Sequence, residues 1–212
     1  MSKLVVFDLD GTLIDSRLDL AGAVNYMRGS MGLEPLDTER VVSFIGNGAA
    51  ALVRRAIADA EIDFDQALYR MRKFYYDHVA DTTVLYPGVA AGLKQLKEKK
   101  CTLAVVTNKP LRETDKVLTL LGVRALFDDV IGGDSDYALK PEPDSLIALK
   151  EKHGMTPDNC WMVGDHYTDM EAARRAGFRS IFVTYGLGET REEKPDYTAN
   201  EFQDVNLILS GF

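Results

Sequence analysis

The chain has 212 residues, of which 46% are hydrophobic, and a formal net charge of −8 at neutral pH. This length and apolar content suffice for a substantial core, as one large domain or two unequal ones. The negative charge argues against nucleic acid and anionic membranes as partners, because both require a basic surface. No signal-peptide pattern opens the sequence and no apolar run is long enough to cross a bilayer, so we expect a cytoplasmic protein.

The first predicted strand is an apolar run over residues 4–7 that ends in two carboxylates, Asp8 and Asp10. Gly11 follows and permits a turn through which residues two apart converge on one cavity. Two like charges so close repel, unless a metal cation neutralises them or they divide into a nucleophile and a proton carrier. For this motif alone, a helix-capping aspartate beside a solvated one is an equally good interpretation.

Helical periodicity replaces strand-like runs between about residues 17 and 81. Apolar residues repeat at helical spacing over residues 49–60 and again over residues 64–79, which predicts two amphipathic helices with buried stripes. The whole segment from about residue 17 to residue 81 contains no run that is typical of a strand.

Strand and helix alternation resumes at Tyr86-Pro87-Gly88, a turn signal, with helices predicted over residues 89–99, 111–121, 144–153 and 169–176. The predicted fold class is therefore α/β, with a Rossmann-like parallel sheet as the core and a small α-helical cap domain inserted after the first strand. We place the core at residues 1–16 and 83–212 and the cap at residues 17–82, with the two connecting linkers as hinges.

Three further apolar runs predict buried strands that end in polar residues. They are residues 103–106 before Thr107-Asn108-Lys109, residues 161–163 before Gly164-Asp165, and residues 181–183 before Thr184-Tyr185-Gly186. The carboxyl ends of parallel strands share one edge of a sheet, so these residues should lie near Asp8 and Asp10. Lys140 precedes a predicted helix, where a lone lysine is usually solvated. An edge that carries up to four carboxylates nevertheless needs a fixed cation if a phosphate is to enter.

Four motifs in this order resemble those of haloacid dehalogenase-type phosphohydrolases. They are Asp8-Leu9-Asp10-Gly11-Thr12, Thr107-Asn108, Lys140-Pro141, and Gly164-Asp165 with Asp169. Their order and separations match along nearly the whole chain, which makes coincidence improbable. Less specific stretches are similar to the phosphoglycolate phosphatase branch: Asp15-Ser16, Ile45-Gly46-Asn47-Gly48, Thr107-Asn108-Lys109-Pro110, Lys140-Pro141-x-Pro143 and Thr184-Tyr185-Gly186.

The resemblance implies a Mg²⁺-dependent phosphatase whose partner is a small phosphorylated metabolite, with 2-phosphoglycolate as the best guess. Asp8 would attack phosphorus and become an aspartyl phosphate, while Asp10 would carry the proton. Thr107 and Lys140 complete the implied catalytic set by holding the transferring oxygens. Asn108 would add its backbone amide to them.

The implied Mg²⁺ site contains only oxygen ligands, which suits a hard divalent cation. Asp8, the backbone carbonyl of Asp10 and Asp165 would bind the ion, with Asp169 one layer behind them. An ordinary helix-terminal role, in which the macrodipole favours an aspartate in the first turn, explains Asp169 equally well. Gly11 and Thr12, within the first motif, are the remaining residues of the core that we expect at the substrate.

Specificity is expected on the cap, where Gly46-Asn47-Gly48 opens a helix whose free N–H groups suit an anion such as a substrate carboxylate. An ordinary helix start is the competing interpretation. Arg54 and Arg55 offer a carboxylate clamp, although solvated arginines are commoner. His166 and Tyr167, in the last motif, either approach the site or face solvent.

Other functions stay open at this stage. A phosphomutase acting on a sugar phosphate shares the core, but it needs a cap group that delivers a proton, and His78 lies near the far end of a helix rather than in a suitable loop. A pyrophosphatase is a close competitor. A non-enzymatic phospho-aspartate switch needs neither Asp10 as a proton donor nor a lid. We expect a monomer or a homodimer.

Overall fold

Short apolar strands form the centre of the structure. The computed structural model describes residues 2–58 and 60–211. In chain order its strands are β1 (Leu4–Phe7), β2 (Ile14–Asp15), β3 (Val84–Leu85), β4 (Thr102–Val106), β5 (Asp129–Ile131), β6 (Cys160–Gly164), β7 (Arg179–Val183) and β8 (Tyr197–Ala199).

Six of these strands pair in parallel, in the spatial order β5-β4-β1-β6-β7-β8. Numbered within the sheet, this is the 3-2-1-4-5-6 order of a Rossmann fold, whose ligands bind at the carboxyl ends of the strands where the order reverses. That point lies between β1 and β6. Phe7 is in register with Val105 on β4 and Val163 on β6, so the three central strands end level with one another.

Helices connect and cover these strands. They are α1 (Arg17–Ser30), α2 (Thr38–Val42), α3 (Gly48–Ile57), α4 (Phe64–Asp77), α5 (Val89–Glu98), α6 (Leu111–Leu120), α7 (Asp144–Lys152), α8 (Tyr167–Ala176) and α9 (Phe202–Ser210), with short 3₁₀ turns at Arg124–Leu126 and Pro157–Asn159. None of the helices in the described residues has the length and apolar character needed to cross a membrane.

The hydrophobic core has two parts, one on each face of the sheet. Val5 and Phe7 belong to the larger cluster, which includes residues of α5, α6 and α9, whereas Leu4 and Val6 belong to a smaller cluster with α7 and α8. This division follows from the period of two along a strand. All four residues of β1 are fully buried because neighbouring strands and both helical layers enclose them.

Helices α1 to α4 form a helical segment, residues 17–77, between β2 and β3. The predicted apolar stripes lie on its inward faces, with Leu52, Val53 and Ala56 buried on α3 and Met71 and Tyr75 buried on α4. The carboxylates of two N-cap aspartates accept bonds from backbone amides and define the starts of α2 and α4.

The chain passes between the sheet and the helical segment at two adjacent points. Strands β2 and β3 pair there as an antiparallel ribbon, with Ile14 opposite Leu85. Asp19, in the first turn of α1, accepts hydrogen bonds of 2.6–3.1 Å from the backbone amides and hydroxyls of Thr82 and Thr83. Its carboxylate thereby joins α1 to the returning chain.

The predicted α/β fold with a Rossmann-like parallel sheet is confirmed. Strands β1, β4, β6 and β7 and helices α5 to α8 lie where the sequence indicated. The edge strands β5 and β8 and the last helix, α9, were not predicted, and α8 begins at Tyr167 rather than at Asp169.

Candidate active site

The first and last motifs meet at the point where the strand order reverses. Asp8 directly follows β1 and its amide donates to Val163 O on β6 at 2.9 Å, while Asp165 directly follows β6. Carboxylate oxygens of Asp8, Asp165 and Asp169 all lie within 4.8 Å of one another, and all three residues are buried. The structure therefore brings three of the four predicted metal residues together through their side chains.

Lys140 reaches this acidic cluster from the loop before α7. Its ammonium nitrogen lies 2.9 Å from Asp8 Oδ1 and 2.7 Å from Asp169 Oδ1, and it donates to Val106 O at 2.6 Å. The side chain is 2% exposed, so this lysine is not the solvated residue that its sequence context alone favours. Lys140 is a buried cation fixed against the first carboxylate.

Burial and mutual repulsion shift the titration of the cluster. Burial raises the pKa of Asp8 to about 6, although Lys140 opposes the shift. Burial, and then the charge of Asp8, raise the pKa of Asp165 to about 8. Burial alone would lower the pKa of Lys140, but Asp169 and Asp8 raise it above its ordinary value. When all three carboxylates are ionised, the single ammonium group leaves two negative charges, which one divalent cation would balance.

The geometry of the cluster also suits a hard cation. Asp8 Oδ1 is buried and has no hydrogen-bond partner among the described residues, since Lys140 approaches it outside hydrogen-bond geometry. Both oxygens of Asp165 are oriented, by the Thr12 hydroxyl at 2.8 Å and by the backbone amides of Leu187 and Gly188 at 2.8 and 3.0 Å. An oriented carboxylate beside one whose buried Oδ1 accepts no hydrogen bond fits Mg²⁺, which prefers oxygen ligands in fixed geometry.

Gly11 and Thr12 support Asp165. Gly11 has φ +87°, and a Cβ atom there would lie 2.1 Å from Asp165 Oδ2, so only glycine fits. The Thr12 hydroxyl is fully buried and donates to Asp165 Oδ1. The structure thus gives both residues a role in positioning a carboxylate. Their contact with substrate stays a prediction.

Asn108 connects three predicted regions. Its side-chain oxygen accepts from Lys140 N, and its amide nitrogen donates to Lys140 O and Gly46 O, each at 2.9 Å. Thr107 is buried beside it and accepts from Lys109 N at 3.2 Å. The loop after β4 is therefore tied both to the lysine loop and to the helical segment.

Asp10 lies apart from the acidic cluster and has its own cation. Lys109 Nζ contacts its two carboxylate oxygens at 2.7 and 2.8 Å, and the Ser16 hydroxyl donates to Asp10 Oδ1 at 2.5 Å. Neither Lys109 nor Ser16 was assigned a role from the sequence. Both residues lie in stretches that resemble the phosphoglycolate phosphatase branch, and that resemblance is the sequence signal by which they could have been identified.

A cavity lies between the sheet edge and the helical segment. Asp8, Asp10, Thr107, Asn108 and Lys109 line it from the sheet edge, and residues of α1, α3, α4 and the loop before α3 line the opposite side. The cavity therefore joins the predicted nucleophile and proton carrier to the predicted specificity region.

The loop Gly46-Asn47-Gly48 lies against the sheet edge. Gly46 has φ +108° and a Cβ atom there would lie 2.8 Å from the His166 ring, while a Cβ atom at Gly48 would lie 3.1 Å from Asn108 O. Asn47 Nδ2 donates to the Tyr167 hydroxyl at 3.1 Å. The glycines permit this close approach, and the loop brings the start of α3 to the cavity.

The structure gives the contacts of three further polar residues near this loop, Arg54, Arg55 and His166. Arg54 lies over the Phe64 ring at 4.7 Å, and Arg55 donates to Phe44 O and Asn47 Oδ1 at 2.9 and 2.8 Å. Both guanidinium groups are thus engaged within the helical segment. His166 is buried at the start of α8, where burial lowers its pKa to about 4 and keeps the imidazole neutral.

Comparison with known proteins gives the family. Residues 5–183 match the model of the haloacid dehalogenase-like hydrolases. A protein of Chromobacterium violaceum named phosphoglycolate phosphatase is 40% identical, with 99% of this chain and 97% of that protein covered. A protein of the same name from Aliivibrio fischeri is 39% identical, with 98% and 96% covered.

A solved structure agrees with this comparison. The crystal structure of a predicted phosphoglycolate phosphatase from Haemophilus somnus has a TM-score of 0.93 and 34% identity, with 98% of this chain and 97% of that chain covered. The chain belongs to the haloacid dehalogenase-like hydrolase family. Within it, relatives named as phosphatases confirm the prediction of a phosphoric monoester hydrolase.

Proposed function

We propose that this enzyme hydrolyses 2-phosphoglycolate through an aspartyl phosphate on Asp8. One observation carries the proposal: Asp8 lines the cavity while its carboxylate contacts Lys140 and the acidic cluster at the reversal point of the sheet. The relatives named phosphoglycolate phosphatases support the choice of substrate. The cavity between sheet edge and helical segment suits a small phosphorylated metabolite.

We further propose Mg²⁺ as the cofactor. Asp8, Asp165 and the backbone carbonyl of Asp10 would hold the ion, which supplies Lewis-acid stabilisation of charge on the phosphoryl oxygens. Asp169 accepts from Lys140 Nζ at 2.7 Å and from His166 N at 3.0 Å, contacts that fix the lysine and the start of α8. We propose that Asp169 supports the site by orienting Lys140 rather than by binding the ion directly.

In the first step an Asp8 carboxylate oxygen forms a bond to phosphorus while the bond to the leaving alkoxide oxygen breaks. Asp10 donates a proton to that alkoxide. Lys140 favours the ionised nucleophile, since its ammonium nitrogen lies 2.9 Å from Asp8 Oδ1. In the second step water attacks the aspartyl phosphate, Asp10 accepts the water proton, and Asp8 and inorganic phosphate are released.

The transferring oxygens need fixed donors, because negative charge concentrates on them in the transition state. Lys140 supplies a buried cation, and Thr107 and the backbone amide of Asn108 supply neutral donors at the cavity. Gly11 and Thr12 keep Asp165 in place through the contacts described above. Substitution of each residue would test the role proposed for it.

The helical segment would act as the cap. We propose that residues 17–82 move as a domain about the β2–β3 ribbon, relative to a core of residues 1–16 and 83–212. Gly46-Asn47-Gly48 would close the cavity and offer N–H groups of α3 to the substrate. The phosphomutase alternative gains no support, since His78 is exposed at the end of α4 and paired with Asp81.

A panel of phosphate-release assays tests the proposal. The substrates are 2-phosphoglycolate, 2-hydroxyethyl phosphate, pyrophosphate and a hexose phosphate, each with and without Mg²⁺. We expect kcat/KM to be highest for 2-phosphoglycolate and activity to disappear with a chelator. Faster release from pyrophosphate, or conversion of the hexose phosphate to an isomer without phosphate release, would contradict the assignment.

A further inference from the structure

We infer that Lys109 selects the substrate, by binding the carboxylate that distinguishes phosphoglycolate from an uncharged phosphomonoester. The inference rests on the proposed function and names the charged partner that the N–H groups of α3 do not provide. Lys109 lines the cavity together with Asp8, and its side chain is 5% exposed. Asp10 compensates the buried ammonium charge, and the same pair holds a cation at the wall of the cavity, where an anionic ligand can reach it.

The position of Asp10 determines where a substrate carboxylate must lie. To protonate the leaving oxygen, an Asp10 oxygen must come within about 3 Å of it. In phosphoglycolate the carboxylate carbon is only two bonds from that same oxygen. Lys109 Nζ lies 2.7 and 2.8 Å from the Asp10 oxygens, and so the ammonium group is beside the space that the carboxylate enters.

Lys109 has the donor capacity for both carboxylates. An ammonium group carries three N–H donors, and Asp10 occupies two of them, which leaves one for a second acceptor. The flexible stem of lysine lets the charge adjust without moving the backbone. Binding of substrate therefore does not require the contact with Asp10 to be lost.

Tyr75 supplies a second and independent observation. It lies on α4, lines the same cavity, and its ring centroid is 4.5 Å from Lys109 Nζ. The residue is 3% exposed, and its hydroxyl has no hydrogen-bond partner in the described part of the chain. A buried hydroxyl without a partner costs free energy that a ligand acceptor would recover. A carboxylate beside these two neighbouring groups would accept a hydrogen bond from each of them.

Arg72 is the other cation among the described residues that line this cavity. Its guanidinium group is already paired with Glu113, through Nε to Oε1 at 3.1 Å and Nη2 to Oε2 at 3.3 Å. This pair directs the guanidinium group toward α6, and the Arg72 side chain is 36% exposed, whereas Lys109 is 5% exposed and contacts Asp10. The geometry therefore favours Lys109 over Arg72 as the ligand for the carboxylate, and Arg72 provides a matched control.

The test compares 2-phosphoglycolate with 2-hydroxyethyl phosphate, which keeps a primary alkoxide leaving group and lacks the carboxylate. We measure kcat/KM on both substrates for the wild type, Lys109→Met, Tyr75→Phe and Arg72→Met. Lys109→Met should lower the ratio of the two values roughly ten- to a hundredfold, mainly through KM for phosphoglycolate. Tyr75→Phe should lower it about two- to tenfold. Arg72→Met should leave the ratio unchanged.

A binding measurement separates recognition from chemistry. Calorimetry with Mg²⁺ compares 3-phosphonopropionate, a stable analogue that carries the carboxylate, with propylphosphonate, which lacks it. The wild type should bind the first more tightly, and Lys109→Met should lose most of that preference.

The outcomes distinguish this inference from the proposed function. If Lys109→Met keeps the wild-type ratio, or Arg72→Met removes it, the inference is overturned while hydrolysis of phosphoglycolate stands. If the wild type itself does not prefer phosphoglycolate to the alcohol, the proposed function fails and the inference fails with it. Should Lys109→Met not fold, Tyr75→Phe decides, and an unchanged ratio in that variant rejects the inference.

Discussion

The two sides of the cavity are built differently. On the sheet side, Asp8 and Asp165 are fixed by backbone amides, a close glycine contact and the buried Lys140. On the side of the helical segment, polar contacts join side chains across the boundary, as in Arg72 with Glu113. The first arrangement is held by contacts within the core and carries excess negative charge, whereas the second depends on how the helical segment packs. We propose that the sheet edge preorganises the chemistry, and that specificity depends on how the helical segment places Tyr75 of α4 beside Lys109.

The largest expected effect comes from removing the nucleophile on the sheet side. Asp8→Asn should reduce kcat on the order of 10⁴-fold or more, because no aspartyl phosphate can form. The substitution removes a buried charge, so the melting temperature without metal should not fall. Rapid quench with labelled substrate should show phosphate on Asp8 alone in the wild type. Unimpaired turnover of the variant would refute the assignment.

Asp10 stands between the two sides, and its substitution tests which step it serves. Asp10→Asn should slow hydrolysis of an alkyl phosphate about 10²- to 10⁴-fold, since the alkoxide leaves without a proton. An aryl phosphate with an activated leaving group should be affected far less. Rates measured on both substrates decide the matter, and equal losses would argue against proton donation by Asp10.

Excess charge on the sheet side predicts a linkage between pH, metal and stability. The folded-state pKa values of Asp8 and Asp165, about 6 and about 8, lie above the value of about 4 for an unfolded aspartate. The unfolded chain therefore loses these protons first, and stability without metal should fall as pH rises from about 4 to about 8.

Mg²⁺ should reverse this loss. Saturation at about a hundred times Kd adds about 2.7 kcal/mol and several degrees to the melting temperature. The increase should be larger at pH 8 than at pH 5, where protons compete for the same oxygens. Thermal melts with and without Mg²⁺ at both pH values measure it. An increase that is independent of pH would mean that the ion does not bind the acidic cluster.

The smallest effect is expected at the boundary itself. Arg72→Met removes a pair between α4 and α6 and should lower the free energy of unfolding by about 1 kcal/mol, because Arg72 is partly exposed and solvent screens the pair. Arg70→Met, on the same helix, removes only a 3.3 Å bond to Ser30 O and is the control. Urea denaturation of both variants tests whether the boundary contact stabilises the fold. Equal values would show that it does not.

The sheet was predictable where its strands are buried on both faces. Strands β1, β4, β6 and β7 appear in the sequence as nearly continuous apolar runs, because helices cover both faces and neighbours lie on both sides. The edge strands β5 and β8 have three residues each and one neighbour, so little apolar pattern marks them. Helix α9 carries Phe202, Val205 and Leu209 at helical spacing, the same kind of pattern that marks α3 and α4.

The sequence by itself determined the family, the fold class and the edge of the sheet that carries the chemistry. Four motifs follow strands or precede a helix in a fixed order, and parallel strands bring their carboxyl ends together whatever the intervening segments do. Only the tertiary structure decided that Lys109 contacts Asp10 and Tyr75. It also decided that Gly46 lies close beside the His166 ring. These contacts join elements far apart in the chain, and they depend on the packing of the helical segment, which no local pattern encodes.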